Sequence, residues 1–309
     1  MILPLQNSII QKVQYTPTGK KPIQLWIKRD DLLHPHISGN KYRKLKYNLE
    51  AAKAQQKNTI LTFGGAYSNH IAATAAAGNE FGFKTIGLIR GDELAQNLSK
   101  TLATNPTLAF AHNRGMFFKF VDRTTYRLKH TANFQKTLQK EFGDFYLVPE
   151  GGTNELAIKG TEEIISEKEA DFDYICCAVG TGGTISGIIK AACPNQKVLG
   201  FPALKQDFLE KEIRKYVYQS ANWKLEKEYH FGGFAKINKD LIEFINDFKK
   251  QTKIQLDPIY TGKMLFGIID LSKKGYFKEY EKILAIHTGG LQGIQGMNQR
   301  LKTKNLPLL

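Results

Sequence analysis

A glycine set just ahead of an amine-bearing helix can turn a lysine into a nucleophile. This chain carries such a stretch in Ser38-Gly39-Asn40-Lys41-Tyr42-Arg43-Lys44-Leu45. Gly39 allows a tight backbone turn. The unpaired N–H groups and the positive dipole end of a helix start disfavour another positive charge. A lysine held there gives up its proton more readily and can attack a carbonyl carbon. From these residues alone a second reading stands beside it, because Arg43, Lys44 and Lys46 share the stretch and make it a solvated basic face.

Four glycine-rich turns offer further chemistry. Val179-Gly180-Thr181-Gly182-Gly183-Thr184-Ile185-Ser186-Gly187 follows an apolar run and opens a helix. Its glycines let successive backbone N–H groups point at one anion, and the helix start adds a favourable dipole. It is not a Walker loop, because the Gly-Lys-Ser/Thr ending is absent. It also misses the dinucleotide pattern, since Ile185 stands where the third glycine belongs and the strand over 198–201 ends in no acidic residue. Gly180, Thr181, Gly182, Gly183 and Thr184 therefore suit a single phosphate, against the plainer reading of a strand-to-helix turn.

The second turn is Phe63-Gly64-Gly65-Ala66-Tyr67-Ser68-Asn69-His70. Ser68 is either an N-cap or, with Asn69, a hydrogen-bonding pair for a bound carboxylate or ring hydroxyl. The missing G-x-S-x-G elbow argues against a Ser-His-Asp hydrolase. Glu150-Gly151-Gly152-Thr153-Asn154 and His287-Thr288-Gly289-Gly290 are the other two.

The elements that must hold these turns alternate. The pattern predicts an irregular arm over 1–22, a strand over 23–28 and the lysine-bearing helix to about 55. Strands over 59–63, 85–89, 116–121, 145–148, 174–179, 197–201, 225–229 and 282–286 are separated by helices, including single long ones over 98–112, 126–142 and 154–168. Such alternation implies mostly parallel sheets covered by helices, with ligands bound where strands end and helices begin.

Composition bounds the rest. The chain has 309 residues, 42% hydrophobic and 24% charged, which suits a soluble globular protein of one large domain or two smaller ones. No leader and no apolar run of about 18 residues stands out, so neither export nor a membrane span is expected. The three cysteines show no metal or redox spacing, and a reducing cytoplasm is the default. The net charge of +15 could attract nucleic acid, but the positive residues are scattered and no nucleic-acid-binding signature is present. A positive funnel for an anionic small molecule is the alternative.

One lysine, one monophosphate cradle and several glycine-rich strand ends together suggest pyridoxal phosphate. At this point the sequence resembles the fold-type-II pyridoxal-phosphate enzymes, the tryptophan synthase β-like group. Within that group it resembles the branch of D-cysteine desulfhydrase and 1-aminocyclopropane-1-carboxylate deaminase. The marks, which span nearly the whole chain, are Lys28-Arg29-Asp30-Asp31, Gly39 to Leu45, Gly64 to His70, Pro149-Glu150-Gly151-Gly152, Asp257-Pro258-Ile259-Tyr260-Thr261-Gly262-Lys263 and His287 to Gly290.

The resemblance implies an α/β fold of two three-layer domains. Residues 1–47 and 161–309 would form a large cofactor domain, and 48–160 a smaller inserted one. It implies that Lys41 forms the Schiff base and moves the substrate proton. Asn69 would meet the ring hydroxyl, Gly180 to Thr184 the phosphate, and Thr288 the pyridine nitrogen. Ser68, Asn69 and His70 would serve the substrate carboxylate or proton transfer, and Tyr260 and Thr261 would face the substrate. It further implies a homodimer acting on a small amino acid: D-cysteine, split to pyruvate, sulfide and ammonia, or the cyclopropane, opened to 2-oxobutyrate. The deaminase carries glutamate where this chain has Thr261, which favours the desulfhydrase side. The Gly-Thr-Gly-Gly-Thr loop looks more like cysteine synthase.

Overall fold

The structure is a computed structural model that describes residues 3, 8–15, 23–205 and 208–309. Its ten strands are β1 (Ile10–Val13), β2 (Leu25–Lys28), β3 (Thr59–Gly65), β4 (Lys84–Arg90), β5 (Met116–Val121), β6 (Tyr146–Val148), β7 (Tyr174–Val179), β8 (Lys197–Pro202), β9 (Trp223–Leu225) and β10 (Ile283–Ile286). They form two sheets. Six strands lie in the order β1-β2-β10-β7-β8-β9, and four in the order β5-β4-β3-β6. Every pairing is parallel except that of β1 with β2.

Parallel strands covered on both faces read as continuous apolar runs, and β7 and β10 are buried along their whole length. Successive side chains of β7 enter opposite cores. Tyr174, Cys176 and Ala178 pack with Met264, Leu265 and Ile268, whereas Ile175, Cys177 and Val179 pack with Ile185, Ile188 and Leu284. The pleat thus sends the adjacent Cys176 and Cys177 to opposite faces, and all three cysteines are free thiols.

Several expectations shift. Part of the expected irregular arm is β1, an edge strand recruited by β2 with Ile10 opposite Lys28; residues 1, 2, 4–7 and 16–22 of that arm lie outside the described residues. The strand expected over 225–229 ends at Leu225, and the chain turns over Lys227–His230. The helix expected over 98–112 is two, Leu98–Thr104 and Pro106–His112. Asn105 caps the second by accepting from Leu108 N–H, and Pro106 has no N–H to continue the first. The helix expected over 126–142 breaks likewise before Thr131, which caps Ala132–Phe142. Among the described residues no helix is long and apolar enough to cross a membrane.

Candidate active site

Strand order decides where the chemistry gathers. β10 comes late in the chain but lies between β2 and β7, parallel to both. Its C-terminal end therefore sets His287-Thr288-Gly289-Gly290 between the exits of β2, which leads to the lysine helix α1 (Asn40–Ala54), and β7, which leads to Gly180–Thr184. In the smaller sheet β3 and β6 are also parallel neighbours. Their exits present α2 (Asn69–Phe81) and the turn at Gly151 and Gly152.

Gly39 joins α1 to the β10 turn. Its φ is +61°, and a Cβ there would stand 2.0 Å from the Thr288 carbonyl oxygen. Asn40 N–H donates to that same oxygen at 3.3 Å. Only a residue without a side chain permits this approach, and it aims the first turn of α1 at the cleft.

Lys41 and Lys44, one turn apart, converge on one neutral acceptor. The Gly151 carbonyl oxygen lies 3.4 Å from Lys41 Nζ and 3.0 Å from Lys44 Nζ, and Thr153 Oγ1 lies 3.0 Å from Lys44. Neither lysine forms an ion pair among the described residues. Burial pushes the Lys41 amine down from its ordinary value of 10.5 to about 8. Lys44 is held well below its ordinary value, first by burial and then by the charge of Lys41. Two amines without a counter-ion make a site that favours an anion.

The loop after β7 supplies the matching cradle. Gly182 turns left-handed and the helix Gly183–Ala191 begins at once, so its first N–H groups have no partner within the helix. A Cβ on Gly183 would meet Thr153 Oγ1 at 2.8 Å and Lys44 Nζ at 3.0 Å. Asn40 Nδ2 donates to Thr184 Oγ1 at 2.8 Å, and Thr181 Oγ1 is 2.6 Å from Thr153 Oγ1. Backbone N–H groups, hydroxyls and a buried lysine amine thus meet around one small space, a donor set suited to phosphate. Lys44, Asn40 and Thr153 were not among the residues expected there. The spacing of Lys44, three after Lys41 on one helix face, could have marked it.

Ser68 is the N-cap of α2: its Oγ accepts from His70 N–H at 3.2 Å and Ile71 N–H at 3.3 Å, which leaves its own O–H to donate. Asn69 and Thr288 line the cleft with Lys41, Ser38 and Gln292. His70 turns inward and is not among the lining residues. Its Nε2 is 2.8 Å from Thr62 Oγ1, which donates its own hydrogen to the Val148 carbonyl; Nε2 therefore carries the imidazole hydrogen. Its Nδ1 is buried beside Gly152 with no hydrogen-bond partner among the described residues. Burial, then Lys41 and Lys44, hold this imidazole well below its ordinary value.

Tyr260 packs against the cradle rather than the Lys41 cleft: a Cβ on Gly180 would lie 3.2 Å from its ring. Burial and then Asp257 raise its hydroxyl above the usual range, so it stays protonated. Thr261 also faces elsewhere. It is fully buried, its hydroxyl donates to Asp257 Oδ1 at 2.7 Å, and it accepts from Asp257 N–H at 2.9 Å. Asp257 accepts as well from the N–H groups of Ile259, Tyr260 and Thr261, which fixes the start of the helix Thr261–Lys273.

The Lys28-Arg29-Asp30-Asp31 motif proves to be a set of ion pairs that brace α1. Lys28 meets Glu169 at 2.5 Å, Arg29 meets Asp31 at 2.7 Å, and Asp30 meets Arg43 of α1 at 2.7 Å. His287 Nε2 donates to the Gln255 carbonyl at 2.8 Å, and its Nδ1 accepts from Gly289 N–H, shaping the turn that bears Thr288.

Comparison with known proteins identifies the family. The family model described as pyridoxal-phosphate dependent enzyme matches residues 11–289. A putative 1-aminocyclopropane-1-carboxylate deaminase of Pyrococcus horikoshii is 31% identical, over 91% of this chain and 89% of its own. The mitochondrial bifunctional D-cysteine desulfhydrase/1-aminocyclopropane-1-carboxylate deaminase of Arabidopsis thaliana is 31% identical, over 88% of this chain and 73% of its own. The crystal structure of a 1-aminocyclopropane-1-carboxylate deaminase homologue superposes with a TM-score of 0.76 at 26% identity, covering 98% of this chain and 95% of that one.

Proposed function

Because the chain belongs to the pyridoxal-phosphate dependent enzyme family, we propose that it is a lyase that splits D-cysteine and water into pyruvate, sulfide and ammonia. The observation that carries this reading is the lining of the cleft, where Lys41, Asn69 and Thr288 meet and no carboxylate is present among the described residues. When bound, pyridoxal phosphate supplies an aldehyde for an amine and a conjugated ring that accepts the electrons of a substrate C–H bond. An acidic partner would hold a proton on the ring nitrogen and strengthen that acceptor; the Thr288 hydroxyl does not. A modest acceptor favours substrates whose β-substituent departs promptly, as hydrosulfide does.

The residues present fit the cofactor. Gly180 to Thr184, with Lys44, Asn40 and Thr153, would hold its phosphate. Asn69 Nδ2 would donate to the ring oxygen, and Ser68 O–H would donate to the substrate carboxylate. Lys41, with its amine near 8, is partly unprotonated at neutral pH and can take the Cα proton. Residues 1–47 and 161–309 act as the cofactor domain, and 48–160, which contain the whole four-stranded sheet, as the domain that closes on the substrate.

Ring opening of the cyclopropane is the second reading, favoured by the names of the relatives. Thr261 speaks against it, since its hydroxyl is committed to Asp257 and provides no acid. Incubating the purified protein separately with D-cysteine, L-cysteine and 1-aminocyclopropane-1-carboxylate, then identifying the keto acid, decides between them. Pyruvate with sulfide from D-cysteine alone, lost in Lys41→Ala, is the expected result. Oxobutyrate from the cyclopropane, or unchanged turnover in Lys41→Ala, would overturn the proposal.

A further inference from the structure

Gln292 stands at the start of the helix Gly293–Lys302, yet its side chain makes no capping bond to it. It reaches instead to a residue 223 positions away, donating Nε2–H to Asn69 Oδ1 at 2.8 Å. Both residues line the cleft with Lys41 and Thr288. The contact has a chemical consequence for Asn69. A carboxamide has an acceptor end and a donor end, and a half-turn about its broad terminal torsion exchanges them. With Oδ1 engaged by Gln292, the Nδ2 end points the other way, towards Gly290, where a Cβ would lie only 2.8 Å from it. No hydrogen bond from Asn69 Nδ2 to protein is present among the described residues.

We infer that Gln292 is a positioning residue: by occupying Asn69 Oδ1 it leaves the Nδ2–H end of that amide for the ligand oxygen beside Lys41. This rests on the proposed reading of Asn69 as the donor to the ring oxygen of pyridoxal phosphate. A donor there draws charge from the oxygen and weakens its hold on the proton carried by Lys41 Nζ in the bound state. Releasing the amide raises the pH at which that proton is lost.

The test is a spectrophotometric pH titration of the visible band of the holoenzyme. Wild type, Gln292→Met, Asn69→Ala and the double variant are compared. Gln292→Met is expected to raise the midpoint by about 0.7 of a pH unit, the equivalent of one ordinary hydrogen bond. Asn69→Ala raises it by at least as much, and the double variant matches Asn69→Ala alone. A mere packing role for Gln292 would lower the melting temperature without this shift. Gln292→Asn, which keeps the amide but shortens its reach by one methylene, repeats the test if the Met variant fails to fold. A midpoint moved by Asn69→Ala but not by Gln292→Met, or additive shifts, would overturn the inference alone. A wild-type protein that develops no Lys41-dependent band with pyridoxal phosphate, or a midpoint that Asn69→Ala leaves in place, would overturn the reading of the site and the inference with it.

Discussion

Replacing Lys41 with Met should make the cofactor-free protein more stable, although it removes the proposed nucleophile. Burial lowers the amine from 10.5 to about 8, and each pH unit of displacement corresponds to about 1.4 kcal/mol. Holding Lys41 charged in the folded chain therefore costs about 3 kcal/mol. The sign follows from proton linkage. Below pH 8 both folded and unfolded chains bind the proton, and the full penalty is present. Between 8 and 10.5 the unfolded chain binds it and the folded chain does not, so stability recovers as pH rises. For 309 residues the unfolding entropy is about 0.65 kcal/mol/K, which converts 3 kcal/mol into ~5 °C. Calorimetric melts of the cofactor-free parent and Lys41→Met should differ by that amount at pH 6.5, with the Met variant higher. The gap should close by about pH 10.5. Equal melting temperatures at pH 6.5, or a gap that does not change with pH, would refute the assignment of Lys41 as a strained, readily deprotonated amine.

Lys44→Met should weaken pyridoxal phosphate binding by roughly 10- to 100-fold, the worth of a charge-assisted hydrogen bond to phosphate. Equilibrium dialysis with pyridoxal, which lacks the phosphate, should show no such loss; an equal loss for both would place Lys44 outside the phosphate site. Gly39→Ala combines a left-handed φ of +61° with a Cβ 2.0 Å from the Thr288 oxygen. It should cost more than about 3 kcal/mol in urea unfolding. A loss under about 1 kcal/mol would mean that the approach of α1 to the β10 turn is looser than described.

The local backbone geometry of the turns was legible because it is written in contiguous residues. Gly39-Asn40-Lys41 read as a glycine turn into a lysine helix, and the structure has Gly39 at a φ of +61° directly ahead of α1. Gly180 to Thr184 read as an anion cradle or a plain strand-to-helix turn, and the structure sets a left-handed Gly182 directly before the helix Gly183–Ala191. The alternation of apolar runs likewise implied parallel sheets, and β5 and β7 fall where that pattern put them. Short-range signals failed where a partner far along the chain decides. β1 is a strand only because β2 offers it an edge, and Thr261 turns from the cleft only because Asp257 takes its hydroxyl.

Tertiary structure alone settled what surrounds the reactive amine. The insertion of β10 between β2 and β7 brings Thr288 beside Lys41. The folding of residues 150–153 over α1 gives Lys41 and Lys44 one shared carbonyl and, among the described residues, no counter-ion. The helix start at Gln292 reaches back across 223 positions to orient Asn69. A sequence states which groups a chain owns and what its backbone can do locally. Which of those groups meet, and whether water or protein surrounds them when they do, depends on how distant segments pack, and that environment sets the proton affinity of Lys41.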